Sequence, residues 1–203
     1  MSEDYIRFDT YDDVEASLAL VVFALQNLER SKAHYKSAVL NAHLAIQGMC
    51  VCALTASDGG GALAKNSEKA LRAYHDQCSL DIEAFSRDGL FPKNEYPTLQ
   101  LATFDELLKR LPREFYSGPE RAAGSQDPKR SLDRLSDLRK KFSHFPDICW
   151  SIPPIFIEEA LLGGMRFLRR FPDLQEYFAN RSRLNEARVV SLIDEAVSLL
   201  ERK

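Results

Sequence analysis

The sequence predicts an all-α protein, an up-and-down bundle of about six to eight helices. All nine prolines lie at Pro92 or later, and residues 1–58 contain a single glycine, Gly48, so long helices can run uninterrupted in the first half of the chain. Apolar residues then recur at helical spacing, and no segment alternates in the manner of a strand. The 203 residues suffice for one sizeable core, and we expect a single domain over residues 1–203.

Capping residues and prolines mark where several of the predicted helices begin or end. Thr10 is predicted to be the N-cap of the first helix, because acids that suit the helix dipole follow it. The segment from Thr103 to Glu106 fits a capping box, so a short helix should begin at 104 and end before Pro112. Pro172 is expected to open a further short helix. The other predicted helices span residues 12–30, 31–56, 66–87, 129–144, 154–170 and 184–202.

The sequence also indicates one long loop and two helices with an apolar stripe. Prolines and glycines recur in residues 112–128, which are therefore the best candidate for a long mobile loop. The last predicted helix has an apolar stripe that could pack on its own bundle or on a second copy of the chain. The third predicted helix has a similar stripe, formed by Leu71, Tyr74, Cys78, Ile82 and Phe85.

The charge distribution favours an anionic ligand at one place. The formal net charge of -3 argues against a wholly basic nucleic-acid binder. However, residues 1–30 carry seven acids against two bases, whereas residues 129–170 carry nine bases against five acids. A local basic segment on a mildly acidic protein suits an anionic ligand, although a solvated helix face would have the same composition.

The cysteines and the N-terminus indicate a cytoplasmic protein without a bound metal or cofactor. No Cys-x-x-Cys pair occurs, so free thiols in a reducing compartment are expected, and the start of the chain does not resemble a signal peptide. Neither the cysteines nor the histidines have zinc-ligand spacing. His34, His43 and His75 are interpreted as ordinary core or surface histidines. The four cysteines are Cys50, Cys52, Cys78 and Cys149.

The second predicted helix has no charged residue from Ser37 to Ser57, which is about the length that crosses a bilayer. It contains Asn41, His43 and Gln47, whose polar groups hydrocarbon would leave without partners. We therefore expect a helix buried in the centre of the bundle, with no membrane insertion.

The chemically most informative pattern is the segment 139–144, in which Arg139 and His144 are separated by four residues. On an ideal helix Arg139 borders the apolar stripe, while Lys141 points to solvent. His144 lies about 140° around the helix axis from Arg139. Because Pro146 disfavours helical backbone at the residue before it, the helix should fray near His144, which could then swing towards Arg139. The stripe consists of Leu132, Leu135, Leu138 and Phe142, and Ser136 and Ser143 share the border with Arg139.

These two side chains could together cleave RNA without a metal. Histidine titrates near neutral pH and can take the proton of a 2'-hydroxyl, and the planar guanidinium matches phosphate oxygens. Ser143, Lys140 and Lys141 could add contacts to RNA phosphate. The alternative is that His144 merely ends a helix and that Arg139 lies along its surface.

An all-α bundle with the segment Leu138–Phe145, which contains Arg-x4-His, resembles the HEPN superfamily. The segment Ala38–Gln47 also resembles the second helix of that family, with Gln47 where many members keep an acid. The resemblance implies a helical domain in which Arg139 and His144 form the catalytic pair of a metal-independent endoribonuclease, of toxin or phage-defence type. It also implies RNA as substrate, a homodimer that joins two motifs in one cleft, and an antitoxin or other partner protein.

Two departures from the family pattern keep other functions open. Lys140 stands where members usually have Asn, Asp or His, and Pro146 stands where members silenced by nucleotidyl transfer often have a tyrosine. The main alternative is a catalytically inactive HEPN-like module that binds RNA, a nucleotide or a protein. A third is a helical scaffold whose basic segment meets an acidic protein.

Overall fold

The computed structural model describes residues 9–55, 60–88, 95–116, 128–144, 151–171 and 185–202, with backbone alone for 81–88. Within these ranges the chain forms seven α-helices and a short 3-10 helix, Arg113–Tyr116, which confirms the predicted fold class. The α-helices are α1 Thr10–Gln26, α2 Ala33–Leu54, α3 Lys65–Asp88, α4 Phe104–Arg110, α5 Pro128–Ser143, α6 Pro154–Leu168 and α7 Glu186–Glu201.

Helix α2 lies at the centre of the bundle. It packs most extensively on α1 and also contacts α4, α5 and α6, while α7 packs on α1 and α6. The apolar face of α7 therefore covers its own bundle, with Val189, Ile193 and Ala196 fully buried.

The bounds of α1 differ from the prediction at both ends. Asp9, not Thr10, is the N-cap: its side chain accepts hydrogen bonds from the backbone N–H groups of Tyr11 and Asp12. The helix ends at Gln26 because Asn27 caps it, with its side-chain amide donating to the carbonyl of Phe23 at 2.7 Å.

The link after α4 is partly ordered, so the prediction of a mobile loop over 112–128 is wrong at its start. Phe115 of the 3-10 helix is completely buried, and its ring packs on Phe171 at a centroid distance of 4.6 Å. Arg170 donates a hydrogen bond to the carbonyl of Phe115, which fixes the turn against the end of α6. Residues 117–127 lie outside the described residues, as does the short helix predicted at Pro172.

Helix α2 is the one helix, among the residues described, with the length and hydropathy to cross a membrane. More than half of its most apolar stretch is buried inside the protein, as in the core helix of a soluble bundle. Asn41 donates a hydrogen bond to the carbonyl of Ser37 one turn earlier, and His43 stacks on Phe104 of α4. These polar groups are thus accommodated by protein, as expected for a central helix.

Helix α4 is held at both ends. The predicted capping box is present, since Thr103 accepts from the backbone N–H of Glu106 and the Glu106 carboxylate accepts from that of Thr103. At the other end Arg110 donates to the carbonyls of Gly61 and Leu63. Helix α4 therefore presents a fixed face to α2 and to the side of α5.

Candidate functional site

Arg139 lies on the side of α5 that faces the core. Leu132, Leu135 and Leu138 are buried along this face, and Ser136 beside them is also buried. Arg139 is half-buried at its edge, whereas Lys141 is exposed, as the helical spacing predicts. A guanidinium in this position is less hydrated than one on the outer face, and its stem is restrained by packing.

Helix α5 is held against α6. Arg134 pairs with Glu159 of α6 at 2.9 Å, and its guanidinium lies 5.8 Å from the centre of the Phe156 ring. Nearer the start of α5 the two backbones approach closely, because Ser131 packs directly on Gly163. Arg139 is thus carried by a helix whose position is fixed.

His43 is the core histidine on which the charge of Arg139 acts. This histidine of α2 is 4% exposed, and its ring lies on Phe104 with a centroid distance of 4.2 Å and an interplanar angle of 31°. The charges of Arg139, Lys140 and Asp105 all act on it, so α2, α4 and α5 meet at this imidazole.

The surroundings of His43 keep its ring neutral. Burial is the largest cause that lowers the pKa of His43, and the positive charge of Arg139 is the next. Lys140 lowers the pKa further, whereas the carboxylate of Asp105 raises it. The resulting pKa is about 4. A neutral imidazole has one donor and one acceptor nitrogen. It can therefore lie beside a guanidinium without the repulsion that an imidazolium would bring.

His144 lies at the end of α5, on a different side from Arg139. The helix ends at Ser143, one residue before the predicted end, but the backbone N–H of His144 still donates to the carbonyl of Lys140 at 2.9 Å. Because that bond keeps the helical spacing, the angle of about 140° between the directions of Arg139 and His144 is retained. The backbone thus stays helical up to His144, so the fraying that would let His144 swing towards Arg139 is not seen at this residue.

The remaining predicted site residues are distributed around α5. Ser143 is half-buried on the side of Arg139, and Lys140 is exposed and 3.7 Å from Asp137. Lys141 lies on the opposite side, where it lines a cavity of about 350 Å³ together with Arg134 and Phe156. One α5 side therefore carries Arg139, and another carries Lys141.

Gln47, which the family resemblance aligns with an acidic position, lies one turn beyond His43 on α2. It lines a separate cavity with Asp9 and Asp13, close to the start of α1. Sequence reasoning therefore singled out Gln47 and overlooked His43, which was interpreted as an ordinary histidine. The available signal was that His43 is the one histidine in the segment from Ser37 to Ser57, which has no charged residue.

The cysteines of α2 are not placed for nucleophilic chemistry. Cys50 and Cys52 are buried, and burial raises the pKa of both thiols, that of Cys52 to about 12. Within the described residues no three histidine, cysteine or acidic side chains cluster as metal ligands would.

No family model, no curated protein and no solved structure matches this chain.

Proposed function

We propose that the protein is a metal-independent endoribonuclease of toxin or phage-defence type, built as one HEPN-like helical domain over residues 1–203. The observation that carries the proposal is the position of Arg139: it is half-buried on a fixed helix, and its charge acts on the buried, neutral ring of His43. A cation held in this way at the edge of a core is suited to bind phosphate, since it need not be reordered when the ligand arrives.

His144 supplies the proton transfer in this proposal. Its exposed imidazole takes the proton of the 2'-hydroxyl while that oxygen forms a bond to phosphorus, and the bond from phosphorus to the 5'-oxygen breaks. A protonated imidazole gives its proton to the leaving 5'-oxygen. The products are a 2',3'-cyclic phosphate and a 5'-hydroxyl end, and Arg139 stabilises the charge on the phosphate oxygens throughout.

A homodimer completes such a site. Since Arg139 and His144 point to different sides of α5 in one chain, a cleft between two copies is the arrangement that lets both act on one phosphate. Lys140, Lys141 and Ser143 then bind the flanking RNA. A toxin of this kind acts in the cytoplasm, where its thiols stay reduced, and is held inactive by an antitoxin or other partner protein.

Cleavage assays test the proposal directly. The protein and its Arg139→Ala and His144→Ala variants are incubated with mixed RNA in EDTA, with Lys69→Ala, which removes an exposed cation on α3, as the matched control. We expect cyclic-phosphate products from the parent protein and from Lys69→Ala, and a loss of about 100-fold or more in rate for the other two variants. Equal residual cleavage by all four proteins would exclude the assignment.

The second candidate is an inactive HEPN-like module that binds RNA, a nucleotide or a protein. The angle between Arg139 and His144 favours it, and so does the contact of Lys140 with Asp137. This module would retain RNA without cutting it, and its affinity would fall as salt screens the phosphate contacts. Binding that does not change with salt would count against the RNA-binding form.

A further inference from the structure

A second concave surface lies next to the cluster around His43. A cavity of about 360 Å³ opens between α4, the 3-10 helix and the first half of α5. Three bases, two acids and an apolar floor form its lining. The lining residues are Lys109, Arg113, Lys129, Asp105, Asp133, Leu108, Leu111 and Tyr116.

The floor of this cavity is preformed. Leu111 is buried, and the hydroxyl of Tyr116 donates to the carbonyl of Leu108 at 2.5 Å, which links the 3-10 helix to α4. The ring of Tyr116 packs on Phe167 of α6 at a centroid distance of 5.6 Å. A concave apolar surface with a few polar groups on its rim is the usual form of a small-ligand site.

The face of α5 that lines the cavity extends along the helix to Lys140, the residue after Arg139. On α4, Asp105 lines the cavity and directly follows Phe104, whose ring lies on His43. On α5, Lys129, Asp133 and Lys140 are spaced by four and seven residues and so share one face, which extends over about 16 Å. This face connects the cavity at the start of α5 with the cluster near its end.

The side chains that line the cavity fit the chemical groups of a nucleotide. Lys109, Arg113 and Lys129 suit a phosphate, and the apolar floor suits the face of a nucleobase. The carboxylates of Asp105 and Asp133 can accept hydrogen bonds from an exocyclic amino group or a ribose hydroxyl. A simple anion has no hydrogen-bond donor for these carboxylates. A nucleotide can bind the basic side chains, the apolar floor and the carboxylates at once.

We propose that this cavity binds the nucleotide that flanks the reacting phosphate in single-stranded RNA. The inference rests on the proposed function, because only a ribonuclease has a reacting phosphate. The binding of RNA in the cavity does not itself require cleavage. A free nucleotide has the same chemistry, so the experiment compares the two ligands.

The test uses the full-length protein, the double variant Lys109→Glu/Lys129→Glu, and Lys65→Glu/Lys69→Glu as a control with the same charge change on α3. Both pairs are exposed, so neither substitution disturbs the core. Binding of a fluorescent single-stranded RNA and of AMP and CMP is measured at two salt concentrations, and kcat and KM are measured for cleavage. Circular dichroism of each variant verifies its folding.

We expect the cavity variant to raise Kd and KM for RNA by about tenfold and to flatten the salt dependence, since phosphate contacts are lost. Its kcat should stay within about twofold of the parent value, because Arg139 and His144 are intact. The α3 control should bind RNA with nearly unchanged affinity.

The results separate the two proposals. If RNA binding depends on the cavity but no cleavage occurs, the cavity stands and the ribonuclease assignment fails. If cleavage requires Arg139 but the cavity variant binds RNA like the α3 control, the cavity proposal is overturned and the ribonuclease assignment stands. If a mononucleotide binds there as tightly as the RNA oligomer, a free nucleotide is the ligand and the RNA assignment of the cavity is wrong.

Discussion

At the scale of single residues, the burial of His43 connects stability with pH. Its pKa is about 4 in the folded protein, against 6.5 for an unperturbed histidine. Above pH 6.5 the ring is neutral in both states and brings no penalty. As the pH falls from 6.5 towards 4, the unfolded chain binds a proton that the folded protein does not bind, so the free energy of unfolding decreases. Below the folded pKa the decrease ends.

A variant without the imidazole should lose less stability on acidification than the parent protein does. His43→Phe keeps a ring against Phe104 but cannot titrate. Between pH 7 and pH 4.5 the parent protein should lose about 2 kcal/mol more of its free energy of unfolding than His43→Phe does. Urea unfolding at the two pH values measures the difference. Carboxylates titrate in both proteins and cancel in the comparison, so parallel losses would show that His43 is not buried as described.

At the scale of helices, the crossing of α5 and α6 depends on small residues. A Cβ atom added at Gly163 would lie 2.1 Å from the Oγ atom of Ser131 and 2.3 Å from its Cβ atom. The Ser131 hydroxyl is itself buried, and it has no hydrogen-bond partner among the residues that the structure describes. An added Cβ at Gly164 would instead meet the side-chain ends of Ile46 and Leu135 at 3.2 and 3.3 Å, which can shift.

Gly163→Ala should therefore destabilise the protein, although alanine favours the helix. We expect overpacking of about 1–3 kcal/mol to exceed the helix-propensity gain of about 1 kcal/mol. Adding Ser131→Gly should restore part of the loss, because it removes the atoms that clash. Gly164→Ala is the matched control and should change stability by less than about 1 kcal/mol. Urea unfolding of the parent protein and the three variants is the measurement; a double variant no more stable than Gly163→Ala would disprove the close packing.

Helix spans were predictable because their signals are local. The capping box at Thr103 and Glu106, and the spacing of apolar residues along α5, required only neighbouring residues. The miss at Asp9 is also local, since Asp9 and Thr10 are both good N-cap residues and the choice depends on backbone geometry. Phe115 was placed in a mobile loop because its burial requires Phe171, which is remote in sequence.

The candidate site was predictable in part, for the same reason. Helical periodicity places Arg139 beside the apolar stripe of α5, and the structure agrees. Periodicity does not say which helix packs on that stripe, so the meeting of Arg139 with His43 requires the tertiary structure. Likewise, Pro146 indicates where α5 ends but not that His144 keeps its last helical hydrogen bond.

At the scale of the whole molecule, the geometry of α5 restricts how a ribonuclease site can be assembled. Arg139 faces the core edge and His144 projects from another side, at an angle of about 140°. A two-fold dimer offers two arrangements. Each site uses Arg139 and His144 either from the same subunit or from different subunits. The angle favours different subunits, because each residue then approaches the shared phosphate from its own copy.

Mixing two inactive variants distinguishes these arrangements. When equal amounts of the Arg139→Ala and His144→Ala proteins exchange subunits, half of the dimers contain one subunit of each variant. If a site spans two subunits, one of the two sites in each mixed dimer has both natural residues. About a quarter of the parent cleavage rate should then return. If each site belongs to one subunit, no activity returns.

The reverse mixture is the matched control for this prediction. When the parent protein is mixed with an equal amount of Arg139→Ala/His144→Ala, about a quarter of all sites in the mixture are intact if sites span two subunits, but about half are intact if each subunit has its own. Light scattering must show a dimer before either mixture is interpreted, and a monomer at assay concentration would contradict the shared site. Recovery in the first mixture together with the lower value in the second would place Arg139 and the partner subunit's His144 on one phosphate.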